Sequence, residues 1–268
     1  MIASTSETAC CLTVAGSDSG GNAGVQADLR VFHDYCLHGC TAFAALTAQN
    51  PSGVFAIHAV PPEFVAAQLD AVLGVYDIRA LKTGMLGDAA TVEAVVGSLA
   101  DCPKIAKVVD PVLVATSGAN LAAASAIDAM KRRLLPLATI VTPNLPEAAA
   151  LCGHDAEPGE LAKELFETYG CAVLVKGGHR PGADAVDVLC DGGSLREFSL
   201  PWVKDPASTH GTGCSLAAAL AAELALGRNL ADAVAGAKRY VRAAIAASHP
   251  VGPDCAVLGF VREKARST

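Results

Sequence analysis

Short apolar runs alternate with amphipathic stretches along most of the chain, and the alternation sets the expected elements. Residues 11–14 read as a buried strand stopped at Gly16, and residues 23–35 as a helix with Val25, Leu29 and Phe32, then Cys36, along one stripe. Asp28 lies at the margin of that stripe, where a carboxylate faces either solvent or a cleft between helix and sheet. Residues 39–46 form the next expected strand, ending at the polar pair Gln49 and Asn50 before Pro51. Helices are predicted over 62–75 and 88–100, separated by a strand at 80–83. The unit then repeats, with a strand at 107–110, a helix over 122–134, a strand at 139–142, and a helix that starts near Asn144 and runs through Cys152. After a helix over 158–169 and a strand over 172–176, two strands at 186–190 and 195–200 flank Gly192 and Gly193 as a hairpin. Two helices close the pattern. The first follows a glycine turn and sets Leu216, Leu220 and Leu224 on one core-facing side; the second spans 230–248 with Val234, Val241 and Ile245 inward.

Alternating strands and helices predict an α/β fold of three layers, with a mostly parallel central sheet and helices on both faces. Its ligand site should lie beyond the C-terminal ends of the strands. No linker, long repeat or low-complexity stretch divides residues 1–268, so one domain is expected. The chain is 52% hydrophobic but only 4% aromatic, which requires a core built from Ala, Val and Leu, as in sheets covered by closely packed helices. A formal charge of −7 argues against a broad nucleic-acid surface, so an anionic ligand would need a local cradle. No basic segment followed by an apolar run opens the sequence, and the alanine-rich stretch after Cys214 is broken by Glu223. No membrane association is expected. Ten cysteines without regular paired spacing fit reduced thiols in a cytoplasmic protein. Cys36, His38 and Cys40 are spaced closely enough for a metal, but no second ligand cluster with zinc-like spacing follows them.

The strongest chemical signal is STHGTGC at 208–214, which runs directly into the alanine-rich helix. Gly211 and Gly213 permit close backbone approach, and the free amides of a helix start, at the positive end of its dipole, suit a phosphate or a developing negative charge. Cys214 falls in the first helical turn, where a lowered thiol pKa is expected, with His210 four residues before it. Further polar groups fall after strand ends: Asp18 and Ser19, Gln49, Lys82, Asp110, Asn144 with Glu147, and Lys176 with His179. Asn144 and Glu147 fit either water on a magnesium ion or a helix cap. Lys176 before two glycines fits either a phosphate contact or a solvated strand end. No segment matches a Walker A loop, and no G-x-G-x-x-G follows the first strand, so any ATP is held by another route.

Taken in order, AGSDSGGNAGVQADL at 15–29, ALTAQN at 45–50, KTGML at 82–86, VVDPV at 108–112, TPNLPEA at 142–148, VKGGH at 175–179 and THGTGC at 209–214 resemble the hydroxymethylpyrimidine and phosphomethylpyrimidine kinases of thiamine biosynthesis, within the ribokinase-like superfamily. The chain departs from that pattern at Asn22, where a third glycine is common, and at Thr116, where a lysine is frequent. The resemblance implies ATP and Mg2+ as cofactors and a small pyrimidine as substrate, held by Gly16, Asp28, Gln49 and Met85. It also implies an anion hole at Gly211, Thr212 and Gly213, and Cys214 in the place of a catalytic base. Asp110 and Glu147 would serve magnesium, while Lys176, Asn144 and His210 would face the nucleotide. A homodimer is the expected assembly. Three rival readings remain: a pyridoxal kinase, a catalytically silent vitamin-binding protein on the same fold, and a cysteine hydrolase built on Cys214 and His210.

Overall fold

The computed structural model describes residues 8–113, 123–178, 184–259 and 261. In chain order these form β1 (Cys10–Gly16), α1 (Gly24–Asp34), β2 (His38–Asn50), β3 (Gly53–Ala59), α2 (Pro62–Leu73), β4 (Ile78–Thr83), α3 (Ala89–Leu99), β5 (Ala106–Val109), α4 (Ala124–Ala129), β6 (Ile140–Val141), α5 (Leu145–Cys152), α6 (Pro158–Tyr169), β7 (Ala172–Val175), β8 (Asp184–Asp191), β9 (Ser194–Pro201), α7 (Thr212–Ala225), α8 (Leu230–Ala246), β10 (His249–Gly252) and β11 (Cys255–Val257). Nine strands make one sheet in the order β3-β2-β1-β4-β5-β6-β7-β8-β9. The strands from β2 to β7 pair in parallel, and β3, β8 and β9 are antiparallel additions at the two margins. The chain steps outward from β1 to β2 and β3, then returns to the other side of β1 as β4. That reversal opens a crevice beyond the C-terminal ends of β1 and β4.

Period-two alternation divides the core between the two faces of the sheet. Leu12, Val14, Leu81, Val109, Val173 and Val175 point to the side covered by α2 through α6. Cys11, Ala80, Val108 and Leu174 point to the side covered by α1, α7 and α8. The three expected layers are therefore present.

Several details differ from the sequence expectation. β2 continues through Asn50, so Gln49 lies within the strand, and Pro51–Ser52 turns the chain into β3. β3 was not anticipated because Val54–Ala59 is exposed or half-exposed throughout and carries no buried alternation. The small hairpin of β10 and β11 was also missed. In the stretch expected as one helix over 122–134, residue 122 lies outside the described residues, and the helix passes at Met130–Leu134 into a π-helical turn and then a short 3-10 turn containing Pro136. Rather than presenting one leucine face, α7 is buried nearly all round from Ser215 to Ala225, with Leu224 only half-buried. Alanine on most sides lets it lie closely against the sheet, α1 and α8 at once.

Candidate active site

Beyond β1, the chain is tied down by its own polar groups. The Asp18 carboxylate accepts from the amides of Gly20, Asn22 and Ala23 at 2.8, 2.9 and 2.9 Å, folding residues 18–23 into a tight turn before α1. Asp18 therefore acts as an internal clamp. The same loop is stitched to β2: the Ser17 amide donates to the Ala45 carbonyl at 2.8 Å, and the Ser19 hydroxyl to the Gln49 carbonyl at 2.7 Å. The Gln49 side chain is half-buried, its Oε1 accepting from Thr47 at 3.3 Å. Gly16 and Met85 touch so closely that a Cβ on Gly16 would fall on the Met85 methyl group. Gly16, Gln49 and Met85 are thus held on the ends of β1, β2 and β4.

Asp28 takes a different place from the one expected at the edge of its helix. Its side chain and that of Lys82 are both wholly buried, joined at 2.9 Å, and Asp28 also accepts from the Thr13 hydroxyl at 2.6 Å. Burial pushes the Asp28 carboxyl up, with Lys82 and Thr13 working against it. Burial alone would lower Lys82, but Asp28, aided by Cys214 and Asp110, holds its ammonium above the ordinary value. Asp28 thus anchors Lys82 and Thr13 beneath the ends of β1 and β4.

The glycine turn packs against the Asp18 loop from the other side. Gly211 has φ +86°, and a Cβ there would overlap the Asn22 carbonyl, so glycine is required on both grounds. Thr212, Gly213 and Cys214 form the first turn of α7 and are half-buried. The Gly24 amide, at the start of α1, acts on the Cys214 thiol from the facing loop. Contrary to expectation, the thiol pKa is raised: burial dominates, Asp28 and Asp110 add to it, and Lys82 and the Gly24 amide only partly offset them. The His210 Nε2 is buried without a hydrogen-bond partner, so no imidazole–thiol pair forms and the cysteine hydrolase reading loses its base. Asn22 Oδ1 and Thr83 Oγ1, on the neighbouring loops, are likewise unpartnered.

A second group gathers beyond β5, β6 and β7. Asp110 is buried and accepts from Lys176 Nζ at 2.8 Å and from the Thr142 hydroxyl at 3.3 Å. Lys176 Nζ lies 3.7 Å from where a Cβ on Gly213 would sit, which brings the ammonium to the first turn of α7. Burial would lower Lys176, but Asp110 and Glu147 reverse the effect and keep it charged. Asn144 and Glu147 form a reciprocal capping box at the start of α5, each side chain accepting from the other's amide at 2.8 Å. Burial, with Asp110 adding, pushes the Glu147 carboxyl up to about 7 against Lys176 and the amides of Asn144 and Leu113. Of the two sequence readings of this pair, the structure shows the cap, and it sets the Glu147 carboxyl within the charge of Asp110 and Lys176.

Among the described residues no group of three or more His, Cys, Asp or Glu side chains could hold a metal, so Cys36, His38 and Cys40 do not form such a group. His38 instead stacks on Tyr76 with ring centroids 5.2 Å apart. The donor set of Asp110 and Glu147 nonetheless fits Mg2+, which keeps several waters and takes one or two carboxylates together with substrate phosphates. Burial, with Asp110 adding, is what raises Glu147, and a cation would offset both. His179 and Thr116 lie outside the described residues.

The sequence marks Lys82 as a polar group at a strand end but assigns it no role; a lysine after Ala80 and Leu81 in an apolar strand signals a buried partner, which is Asp28. Sequence reasoning missed Thr13 and Thr142, whose hydroxyls align the two carboxylates and whose signal is only their place within or just after apolar strands.

Residues 18–258 match the family described as phosphomethylpyrimidine kinase. The hydroxymethylpyrimidine/phosphomethylpyrimidine kinases of Rhizobium meliloti and Escherichia coli are 46% and 41% identical, each over 90% of this chain and over 92% and 95% of their own lengths. A thiamine biosynthesis bifunctional protein of Geobacter sulfurreducens is 47% identical over 90% of this chain, which spans 50% of that longer protein. Among solved structures, an ADP complex of Bacillus subtilis pyridoxal kinase aligns with a TM-score of 0.87 at 32% identity, covering 95% of this chain and 98% of that one. Phosphomethylpyrimidine kinase from Clostridium difficile 630 aligns with a TM-score of 0.77 at 34% identity, covering 87% and 98%. The chain therefore belongs to the phosphomethylpyrimidine kinase family and is a kinase.

Proposed function

We propose that the protein uses ATP and Mg2+ to phosphorylate 4-amino-5-hydroxymethyl-2-methylpyrimidine and then its monophosphate, giving the diphosphate used in thiamine biosynthesis. The observation that carries the reading is the meeting of Lys176 with Asp110 and with the first turn of α7, beside the ends of β1 and β4. Phosphoryl transfer asks for alignment and charge stabilisation more than for covalent chemistry, and this is what such an arrangement supplies.

In this reading the pyrimidine lies against Gly16 and Met85, with Gln49 hydrogen-bonding its polar edge and Asp28 supporting the floor through Lys82. The amides of Gly211, Thr212 and Gly213 face the transferred phosphoryl group, and the α7 dipole adds to their pull. Cys214 accepts the proton of the attacking hydroxyl. Lys176 meets the nucleotide phosphates, with Asn144 and His210 on the nucleotide side; the free His210 Nε2 is a group that a ligand would satisfy. Asp110 and Glu147 would hold Mg2+, directly or through water, which when bound neutralises charge on the phosphates.

We also infer a cytoplasmic homodimer. Among the described residues, Leu46, Phe55 and Ile57 of the β2–β3 hairpin are 48%, 67% and 49% exposed, an apolar surface that a second copy would cover. No helix among the described residues is long and apolar enough to cross a membrane.

The test offers the purified protein MgATP with the hydroxymethylpyrimidine, its monophosphate or pyridoxal, and follows ADP and product masses. Pyridoxal is included because the aligned Bacillus subtilis structure is a pyridoxal kinase. ADP and both pyrimidine phosphates are expected. Turnover of pyridoxal alone would replace the reading, and no ADP with any substrate would favour a silent binding protein.

A further inference from the structure

Behind Lys176 lies another buried ion pair that the scheme above leaves unused. Asp187 on β8 and Lys238 on α8 meet at 2.6 Å, with side chains only 8% and 9% exposed. The other Asp187 oxygen accepts the backbone N–H of Gly177 at 2.8 Å. Gly177 has no room for a side chain, because a Cβ there would fall on the Val186 carbonyl. On the opposite flank the Lys176 amide donates to the Pro143 carbonyl at 2.8 Å, and Lys176 forms a bridge with Asn144. The backbone at Lys176 and Gly177 is therefore gripped from both sides, by the chain leaving β6 and by Asp187.

Stability alone does not call for ions here. A well-packed apolar pair of similar volume often stabilises a core as well as a buried ion pair does, or better. What an apolar pair cannot do is accept from the Gly177 amide, and an acceptor held ionised at that depth needs a counter-charge.

We propose that Asp187 and Lys238 are positioning residues for the nucleotide. Asp187 fixes the Gly177 amide, Lys238 holds Asp187 in place through their ion pair, and Lys176 leaves β7 with its ammonium directed to Asp110 and the phosphates. The proposal rests on the reading that Lys176 contacts those phosphates.

Two double variants separate positioning from packing. Asp187→Asn/Lys238→Met removes both charges but leaves an amide oxygen for the Gly177 N–H, whereas Asp187→Leu/Lys238→Met removes the acceptor as well. The first should keep the ATP KM within about threefold of the parent, and the second should raise it about tenfold, the scale of one lost buried hydrogen bond, with the pyrimidine KM unchanged in both. Equal ATP KM values in the two variants, or parallel rises for both substrates, would overturn the proposal. Lys176→Met is measured beside them. An unchanged ATP KM in Lys176→Met would remove the phosphate role of Lys176 itself. A raised value there, with parental values in Asp187→Leu/Lys238→Met, would remove the positioning role alone. If the leucine variant does not fold, Lys238→Met and Lys238→Arg decide: the ATP KM should rise in the first and return toward the parent in the second, and equal values would count against the idea.

Discussion

Cys214 shows how far a residue's neighbours can reverse the expectation set by its place in a helix. The first turn of α7 should lower a thiol pKa, yet burial and the carboxylates of Asp28 and Asp110 raise it. Those carboxylates are far from Cys214 in sequence, so their effect was not legible there, whereas the turn and the cysteine were. The fraction of thiolate, the form able to accept a proton, is therefore held below that of an ordinary thiol and grows as pH rises. For the hydroxyl substrate, kcat should climb with it. A thiol-directed alkylating reagent should label Cys214 slowly at pH 7 and faster with rising pH, as read by peptide mass; fast labelling at pH 7 would contradict this. Cys214→Ala should lower kcat for the hydroxyl substrate roughly 100-fold, the scale of a lost general base, but affect the monophosphate step less, because a phosphate oxygen is already ionised. Equal losses would point to a structural or anion-hole role. Gln49 is a simpler case. Its backbone is fastened to Ser19 on both N–H and C=O, so Gln49→Ala should leave the strand intact and raise the pyrimidine KM while the ATP KM stays put.

At the scale of elements, the start of α5 carries two functions in one motif. Spacing alone made Asn144 and Glu147 a cap or a metal site, and the structure shows the cap directly while placing Glu147 near Asp110's charge. Glu147→Gln separates the two, because glutamine can still accept from the Asn144 amide but carries no charge. Mg2+ dependence should weaken with the pyrimidine KM nearly unchanged, as a titration of activity against Mg2+ would show. The same variant has a consequence for stability without metal. Folded Glu147 titrates near 7 rather than at its ordinary 4.5, so between those values the folded chain holds a proton that the unfolded chain has lost. Stability must then fall as pH rises from about 4.5 to 7, and Glu147→Gln should flatten that slope in urea unfolding. Strands and helices of the parallel centre were legible because each buries an apolar run or stripe. The margins were not: β3 lies at the sheet edge with Phe55, Ile57 and their neighbours exposed, so no periodic burial marks it.

Across the whole molecule, three Lys–Asp pairs tie separate elements to the ligand end of the sheet: Asp28–Lys82 joins α1 to β4, Asp110–Lys176 joins the ends of β5 and β7, and Asp187–Lys238 joins β8 to α8. None could be paired from sequence, since the partners lie 54, 66 and 51 residues apart. The first is the most deeply buried, and its fate decides what Asp28 does. Asp28→Asn leaves the Lys82 ammonium in the core without its counter-charge, a loss of about 3–5 kcal/mol and, for a chain of this size, a Tm fall of roughly 10 °C or more. Asp28→Asn/Lys82→Met removes both charges and should recover most of that stability. If Asp28 supports the floor and does not itself read the ring, the recovered double variant should bind the pyrimidine with a KM close to the parent's. A raised pyrimidine KM in that stable variant, with an unchanged ATP KM, would return Asp28 to direct contact with the substrate. Turnover gives an independent check, because Lys82 is the cation that most favours the Cys214 thiolate. The double variant should therefore lose kcat on the hydroxyl substrate and shift its pH profile further upward, even where stability and pyrimidine KM are restored.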